Sequence, residues 1–179
     1  LKNNPGKKHE SAILNALGLA YKEMGRYGES EDYYKRSLSL AEKTHGKDHL
    51  AVAYEVNNLG SLFMSLGDYK KAEECFRRSL AIRKKHLSPD HPDIATVKNN
   101  MGILFYRTEK YEKAEKFYKE CLKSWERTYG PVHPRVATGL SNLALVYQDL
   151  GQYKKAEKHF KRALEIRKKV FGTDHPSVE

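Results

Sequence analysis

Cysteine is nearly missing from this chain: Cys75 and Cys121 are the only two among 179 residues, and neither has a second Cys or a His at ligand spacing. That excludes a disulfide scaffold, argues against a zinc site, and sets a reducing, cytoplasmic compartment as the expectation. Long apolar runs are missing too. Stretches such as Ile103 to Tyr106 and Leu143 to Tyr147 fall far short of the roughly 18 residues needed to cross a bilayer, so no membrane span is expected. The glycines never form the closely spaced set that cradles phosphate, and no Ser-His-Asp order or carboxylate pair stands out. No catalytic residue, metal site or cofactor is therefore expected, and the chain reads as a non-enzyme. It starts at Leu1 without a charged-then-apolar leader, which reads as a segment of something longer.

What the chain does have is a period. Tyr27, Tyr69, Tyr111 and Tyr153 are spaced by 42, and so are His49, His91, His133 and His175. The same step relates Leu38, Leu80, Leu122 and Leu164, the small residues Gly18, Gly60, Gly102 and Ala144, and the set Ser30, Ala72, Ala114 and Ala156. Self-similarity at 20 to 50 residues is the mark of a repeat architecture. Within the second copy, Val52, Val56, Leu59, Phe63 and Leu66 form one helical stripe, broken at Gly67 and Asp68. A second stripe runs from Tyr69 through Ala72, Phe76, Leu80 and Ile82 to His86. The linker Leu87 to Asp93 is turn chemistry with a Pro suited to the first helical position. Gly46, Gly130 and Gly172 sit where a helix end favours a left-handed residue, and Ser88 replaces Gly in the second copy. Facing small residues let each helix pair approach closely, with Tyr34, Phe76, Tyr118 and Phe160 filling the space between.

With these residues in view, the chain resembles the tetratricopeptide repeat family. Asn58-Leu-Gly with Phe63, Gly67, Tyr69, Ala72, Phe76 and Leu80 carries the pattern. The 42-residue period and the Asp-His-Pro linkers at Asp90 to Pro92 and Asp174 to Pro176 are similar to the longer repeat of kinesin light chains. The resemblance implies an all-α, right-handed superhelical solenoid of antiparallel helix pairs. Its repeats would run about 9–48, 49–90, 91–132 and 133–174, with 175–179 opening a further one and Leu1 to Pro5 ending a preceding second helix. Two positions depart from the pattern: Lys98 stands where a bulky apolar residue is common, and Glu109 where Gly usually ends the first helix. A looser corner is expected in the third repeat.

The four periodic histidines tempt a metal reading, but neighbouring repeats stack about 10 Å apart and one ion needs its ligands at about 2 Å. They are expected to organise the linkers and cap the next helix. Cys75, Cys121 and Trp125 fall on second-helix packing stripes, where a structural role is expected.

The net charge of +10 is unevenly placed. Taken as 10–24, 48–66, 91–108 and 133–150, the first helices carry 4 basic and 6 acidic residues; the second helices, taken as 27–44, 69–86, 110–128 and 153–170, carry 24 and 12. Many of those basic residues alternate with Glu at helical spacing, the pattern of a solvated face, and no aromatic platform accompanies them, which argues against nucleic acid.

The stripe of each first helix opposite its packing face is expected to line a groove: Tyr54, Asn57, Asn58 and Ser61; then Thr96, Asn99, Asn100, Tyr106 and Arg107; then Thr138, Asn142 and Gln148. Asn is a poor helix former, so Asn58, Asn100 and Asn142 at one repeat position point to work beyond propensity. A primary amide can grip a peptide main chain, and the resemblance implies that role; alternatively these amides bond one another between repeats. Ala12, Ala16, Thr96 and Asn100 stand where chaperone-binding relatives hold a carboxylate with Lys or Arg. Only Lys22 and Arg107 offer positive charge at the groove edge. The expected function is thus a scaffold that holds an extended segment of a protein partner. The alternatives are a regulatory or sensor segment of a larger enzyme or switch, and a basic-surface nucleic-acid module; end-to-end self-association of the fragment is a further expectation.

Overall fold

A computed structural model describes residues 5–173 and 175–176, with side chains from Glu10 onward. Eight helices follow one another: α1 (Pro5–Glu23), α2 (Tyr27–His45), α3 (Leu50–Ser65), α4 (Tyr69–His86), α5 (Pro92–Arg107), α6 (Tyr111–Tyr129), α7 (Pro134–Asp149) and α8 (Tyr153–Phe171). No strand occurs among the described residues. The all-α repeat of helix pairs is as the period implies, and most helix ends fall within two residues of the sequence reading. The exception is α1, which begins at Pro5 rather than at residue 10. The remainder of the expected preceding helix, Leu1 to Asn4, lies outside the described residues. So does the fifth-repeat opening, apart from His175 and Pro176.

The helices form two compact units, residues 1–86 and 87–179. In the first, α1 packs on α2, α2 on α3 and α3 on α4; in the second, α5 on α6, α6 on α7 and α7 on α8. Pairing is antiparallel, as the hydrogen bonds show: Ser30 Oγ donates to the Gly18 carbonyl at 2.7 Å, while Ser37 Oγ, a turn and more further on, donates back to the Ser11 carbonyl at 2.9 Å.

Glycine on the first helix makes the close approach possible. A Cβ at Gly18 would lie 2.7 Å from the Tyr34 ring, one at Gly60 2.8 Å from the Phe76 ring, and one at Gly102 2.5 Å from the Tyr118 ring. Those three rings are the buried centre of their pairs. In the fourth repeat Ala144 occupies the glycine position and Phe160 is only half-buried.

The starts of α3, α5 and α7 are each fixed by a histidine. Nδ1 of His49, His91 and His133 accepts from the backbone N–H two residues on, at 3.1, 3.1 and 3.2 Å, which satisfies one of the donors a helix start leaves unpaired. His49 stacks on His45 and His133 on Tyr129. The preceding Asp closes the linker: Asp48 binds Lys85, and Asp90 binds Arg127 at the equivalent place. Three of the four repeated histidines thus cap helices, as expected; the segment that His175 would cap lies outside the described residues.

Two local expectations need correction. Gly46, Gly130 and Gly172 do take positive φ (81° to 86°), but with ψ between 158° and 169°. That is an extended conformation open essentially to glycine alone, not the left-handed helical one. With Ser88 in place of glycine, α4 ends one residue earlier in its repeat, at His86. Glu109 does not loosen its corner either. Its φ is 57°, and the turn keeps the two reverse hydrogen bonds of a left-handed helix end, Lys110 N–H to Phe105 O at 2.8 Å and Glu109 N–H to Tyr106 O at 3.0 Å. The corresponding bonds at Gly151 and Gln152 measure 3.0 and 2.8 Å. Geometry is conserved and the backbone bears the cost, since a left-handed residue with a Cβ is disfavoured by about 1–2 kcal/mol. Glu109→Gly should therefore raise stability by about 1 kcal/mol, read as a higher urea midpoint with an unchanged slope. Lys98 is accommodated by an ion pair, its Nζ 3.0 Å from Glu120 Oε2.

Candidate functional site

The first helices hold one face against their partners and leave the other uncovered. Tyr54, Arg107, Thr138 and Gln148 are exposed; Asn57, Asn58, Ser61, Thr96, Asn99, Asn100, Tyr106 and Asn142 are half-buried. All twelve residues picked from the sequence are thus reachable from solvent. They are divided between the units, Tyr54 to Ser61 in the first and Thr96 to Gln148 in the second.

The asparagines bond one another within each unit. Asn58 Nδ2 donates to Asn15 Oδ1 at 2.7 Å, and Asn142 Nδ2 donates to Asn99 Oδ1 at 3.0 Å. Both bonds join residues 43 apart, so an amide of one repeat reaches the amide one position earlier in the previous repeat. Each rung fixes the rotamers of two short side chains and uses only part of their hydrogen-bonding capacity. Around them, Lys22 Nζ donates to Ser61 Oγ at 3.0 Å and Arg135 Nη1 to Thr96 Oγ1 at 3.1 Å. The hydroxyls of Thr96 and Thr138 donate back to Pro92 and Pro134 carbonyls of their own helices, which leaves them acceptor capacity. Tyr106 hydrogen-bonds Asp149, and chiefly for that reason its phenol is pushed up to about 12, so it acts as a donor throughout the neutral range.

The second helices present a different surface. Arg77 pairs with Glu73, Lys119 with Glu115, and Lys161 with Glu157 along single helices; Arg78 with Glu42 and Arg162 with Glu126 tie neighbouring repeats. Several of the basic residues are therefore paired on a solvated face, while the excess over the acidic residues remains.

The two cysteines and the lone tryptophan are packing residues. Burial pushes the Cys75 thiol up to about 11 and Cys121 up to about 12, so neither is a thiolate at neutral pH. Trp125 is buried, with its Nε1 lacking a hydrogen-bond partner. Among the described residues no three His, Cys, Asp or Glu side chains converge as metal ligands, and no helix is long and apolar enough to cross a membrane.

One feature escaped the sequence reading. Glu55 is 5% exposed and its Oε2 has no hydrogen-bond partner. It lines a pocket of about 390 Å3 together with Ser11, Ala12, Asn15, Ala41, His45, Ala51 and Tyr54. Burial pushes its carboxyl up to about 7, against the hydroxyls of Ser37 and Ser11, which favour the charged form. The signal was present in the period: the equivalent residues are Ile13, Val97 and Gly139, so Glu55 is the odd member of its column.

Comparison with known proteins agrees with this architecture. The family described as tetratricopeptide repeat matches in four overlapping stretches, residues 9–85, 51–127, 93–169 and 135–178. No curated protein matches the chain. Among solved structures, BtubC (BKLC) from P. vanneervenii is similar at 26% identity and a TM-score of 0.81, covering 93% of this chain; this chain spans 66% of that one. A putative kinesin light chain of nearly identical TPR-like repeats from Podosopora anserina shares the fold at 20% identity and a TM-score of 0.79, over 93% of this chain and 79% of that one. The apo form of RapI shares it at 20% identity and a TM-score of 0.78, over 90% of this chain and 57% of that one.

Proposed function

The chain belongs to the tetratricopeptide repeat family, whose fold is in general a non-catalytic scaffold for protein interaction, and on that premise we propose that it binds an extended segment of a partner protein along the uncovered faces of its first helices. The observation that carries this reading is the pair of asparagine rungs, Asn15–Asn58 and Asn99–Asn142, set on polar, reachable faces beside Tyr54 and Tyr106. Amides held in fixed rotamers offer a donor and an acceptor to a peptide main chain at little further cost in side-chain entropy. Tyr54, Tyr106, Arg107 and Gln148 then select side chains. We take the repeats as 9–48, 49–90, 91–132 and 133–174, each contributing one such face. The outer faces of α4 and α8 are already laced with ion pairs and are not the docking surface.

The test is selection of binding peptides from a random library, followed by backbone-amide chemical-shift mapping on the whole chain. The expected shifts fall on Tyr54, Asn58, Asn99, Asn142 and Gln148. Shifts confined to the outer faces of α4 and α8, around Arg77 or Lys158, would overturn the assignment.

A further inference from the structure

The pocket beside Glu55 exists because of a pair of residue choices that differ from the rest of the array. Its floor is Ala41, 2% exposed, whose counterparts at the 42-residue step are Arg83, Trp125 and Arg167. In the second unit that position is filled from within. Trp125 is 3% exposed and packs against the next first helix where Gly139 leaves room, so that a Cβ at Gly139 would sit 3.5 Å from the indole ring. Large faces small there. In the first unit the corresponding pair is Ala41 and Glu55: the large group is gone from the second helix, and the first helix carries a carboxyl instead of a glycine. The result is the cavity of about 390 Å3, within the range of ~300–1,000 Å3 typical of ligand clefts.

We propose that this pocket receives an arginine side chain supplied by the bound partner, with the Glu55 carboxylate as its counter-ion. This inference rests on the groove reading above and names one side chain that the partner must carry. Three observations specify the occupant. First, a carboxyl that is 5% exposed with an unpartnered oxygen bears a desolvation penalty that a cation relieves, and among the described residues no lysine or arginine lines the pocket, whose other titratable lining groups are the His45 imidazole and the Tyr54 phenol. The Ser11 and Ser37 hydroxyls beside it lie 3.0 Å apart and bond each other. Second, the equivalent space in the second unit holds a flat indole, so a planar group on a stem fits the shape. Third, the array itself places arginine at this position. Arg167 Nη2 donates at 3.0 Å to Ser141 Oγ, and Ser141 is the 42-step counterpart of Asn15 and Asn99. A guanidinium at the Ala41 column therefore reaches the first-helix residue that, in the first unit, is Asn15 in the pocket wall. The walls of Ala12, Ala41 and Ala51 suit the aliphatic stem, and exposed Tyr54 stands at the rim. Since Asn15 is also a rung residue and Tyr54 belongs to the uncovered face, the pocket is continuous with the peptide path.

The probe is N-acetyl-L-arginine amide, titrated into the whole chain while the amide signals of Ala12, Ala41, Ala51 and Glu55 are followed, with N-acetyl-L-citrulline amide as its uncharged near-isostere. The arginine compound should give saturable shifts at these four residues, and the citrulline compound should bind at least about tenfold more weakly, as loss of a charge-assisted, bidentate contact implies. Glu55→Gln should impose a similar loss, and Ala41→Arg, which supplies the side chain from within, should abolish binding. Equal binding of both compounds, undiminished binding by the Glu55→Gln variant, or no saturable shift overturns the proposal. The circular dichroism of each variant confirms that it is folded. If the arginine compound binds while library peptides map to the outer faces, the groove reading fails alone. If peptides bind the first-helix faces and the arginine compound does not bind, the pocket proposal fails alone.

Discussion

Replacing Gly102 with valine should cost about 3 kcal/mol, which is a large share of the 5–15 kcal/mol that holds a domain folded. The first added carbon alone would lie 2.5 Å from one edge carbon of the Tyr118 ring and 2.6 Å from the next. That ring is 2% exposed and cannot swing into solvent, so α5 and α6 must separate. The gain in helix propensity over glycine, at most a few tenths of a kcal/mol for valine, does not offset this. A double-mutant cycle isolates the cause. Tyr118→Ala by itself should cost about 3–5 kcal/mol by leaving a cavity, and adding Gly102→Val to it should cost nothing more, because the new methyl groups enter the space the ring vacated. Gly28→Ala serves as the control, since a Cβ there meets nothing within 4 Å, and it should shift stability by less than about 0.5 kcal/mol. Equal costs at Gly102 and Gly28 would mean that glycine is placed in the first helices for some reason other than close approach.

The period made most of this architecture legible before any coordinates. A step of 42 fixes which residues are equivalent, and the glycine column facing an aromatic column is readable as a close contact without knowing the distance. The cap role of His49, His91 and His133 was equally accessible, because a metal reading fails on spacing alone. What a period hides is whatever differs between copies. Glu55 and Ala41 are each unremarkable for a helix, and their meaning appears only when Ala41 is set against Trp125 and Glu55 against Gly139. The asparagine rungs were obscured for a related reason. A search at 42 pairs Asn58 with Asn100, whereas the bonds join Asn58 to Asn15 and Asn142 to Asn99, one repeat plus one residue apart. The Glu109 corner shows a third limit: the departure from the family's usual glycine suggested a loose turn, but the hydrogen bonds at a helix end are strong enough to hold a residue with a Cβ in left-handed geometry.

The second large effect concerns binding. In the second unit Asn142 gives one N–H to Asn99, which leaves its carbonyl and second N–H for another partner. Removing the amide should affect two things by different amounts. The rung is half-buried and neutral, so its loss from the free protein should cost about 1 kcal/mol of stability. In the complex the same amide would be desolvated and paired with main-chain groups of the partner, and its removal strands those groups. The affinity loss should then be about 1–3 kcal/mol, or roughly five- to 150-fold.

The direct measurement is the affinity of a library-selected peptide for the Asn142→Ala variant, by calorimetry, beside the variant's urea midpoint. The expected result is an affinity loss of at least about fivefold with a stability loss of no more than about 1 kcal/mol. A variant that loses stability while binding the peptide as tightly as the parent would show that the rungs hold the repeats together and do not hold a partner.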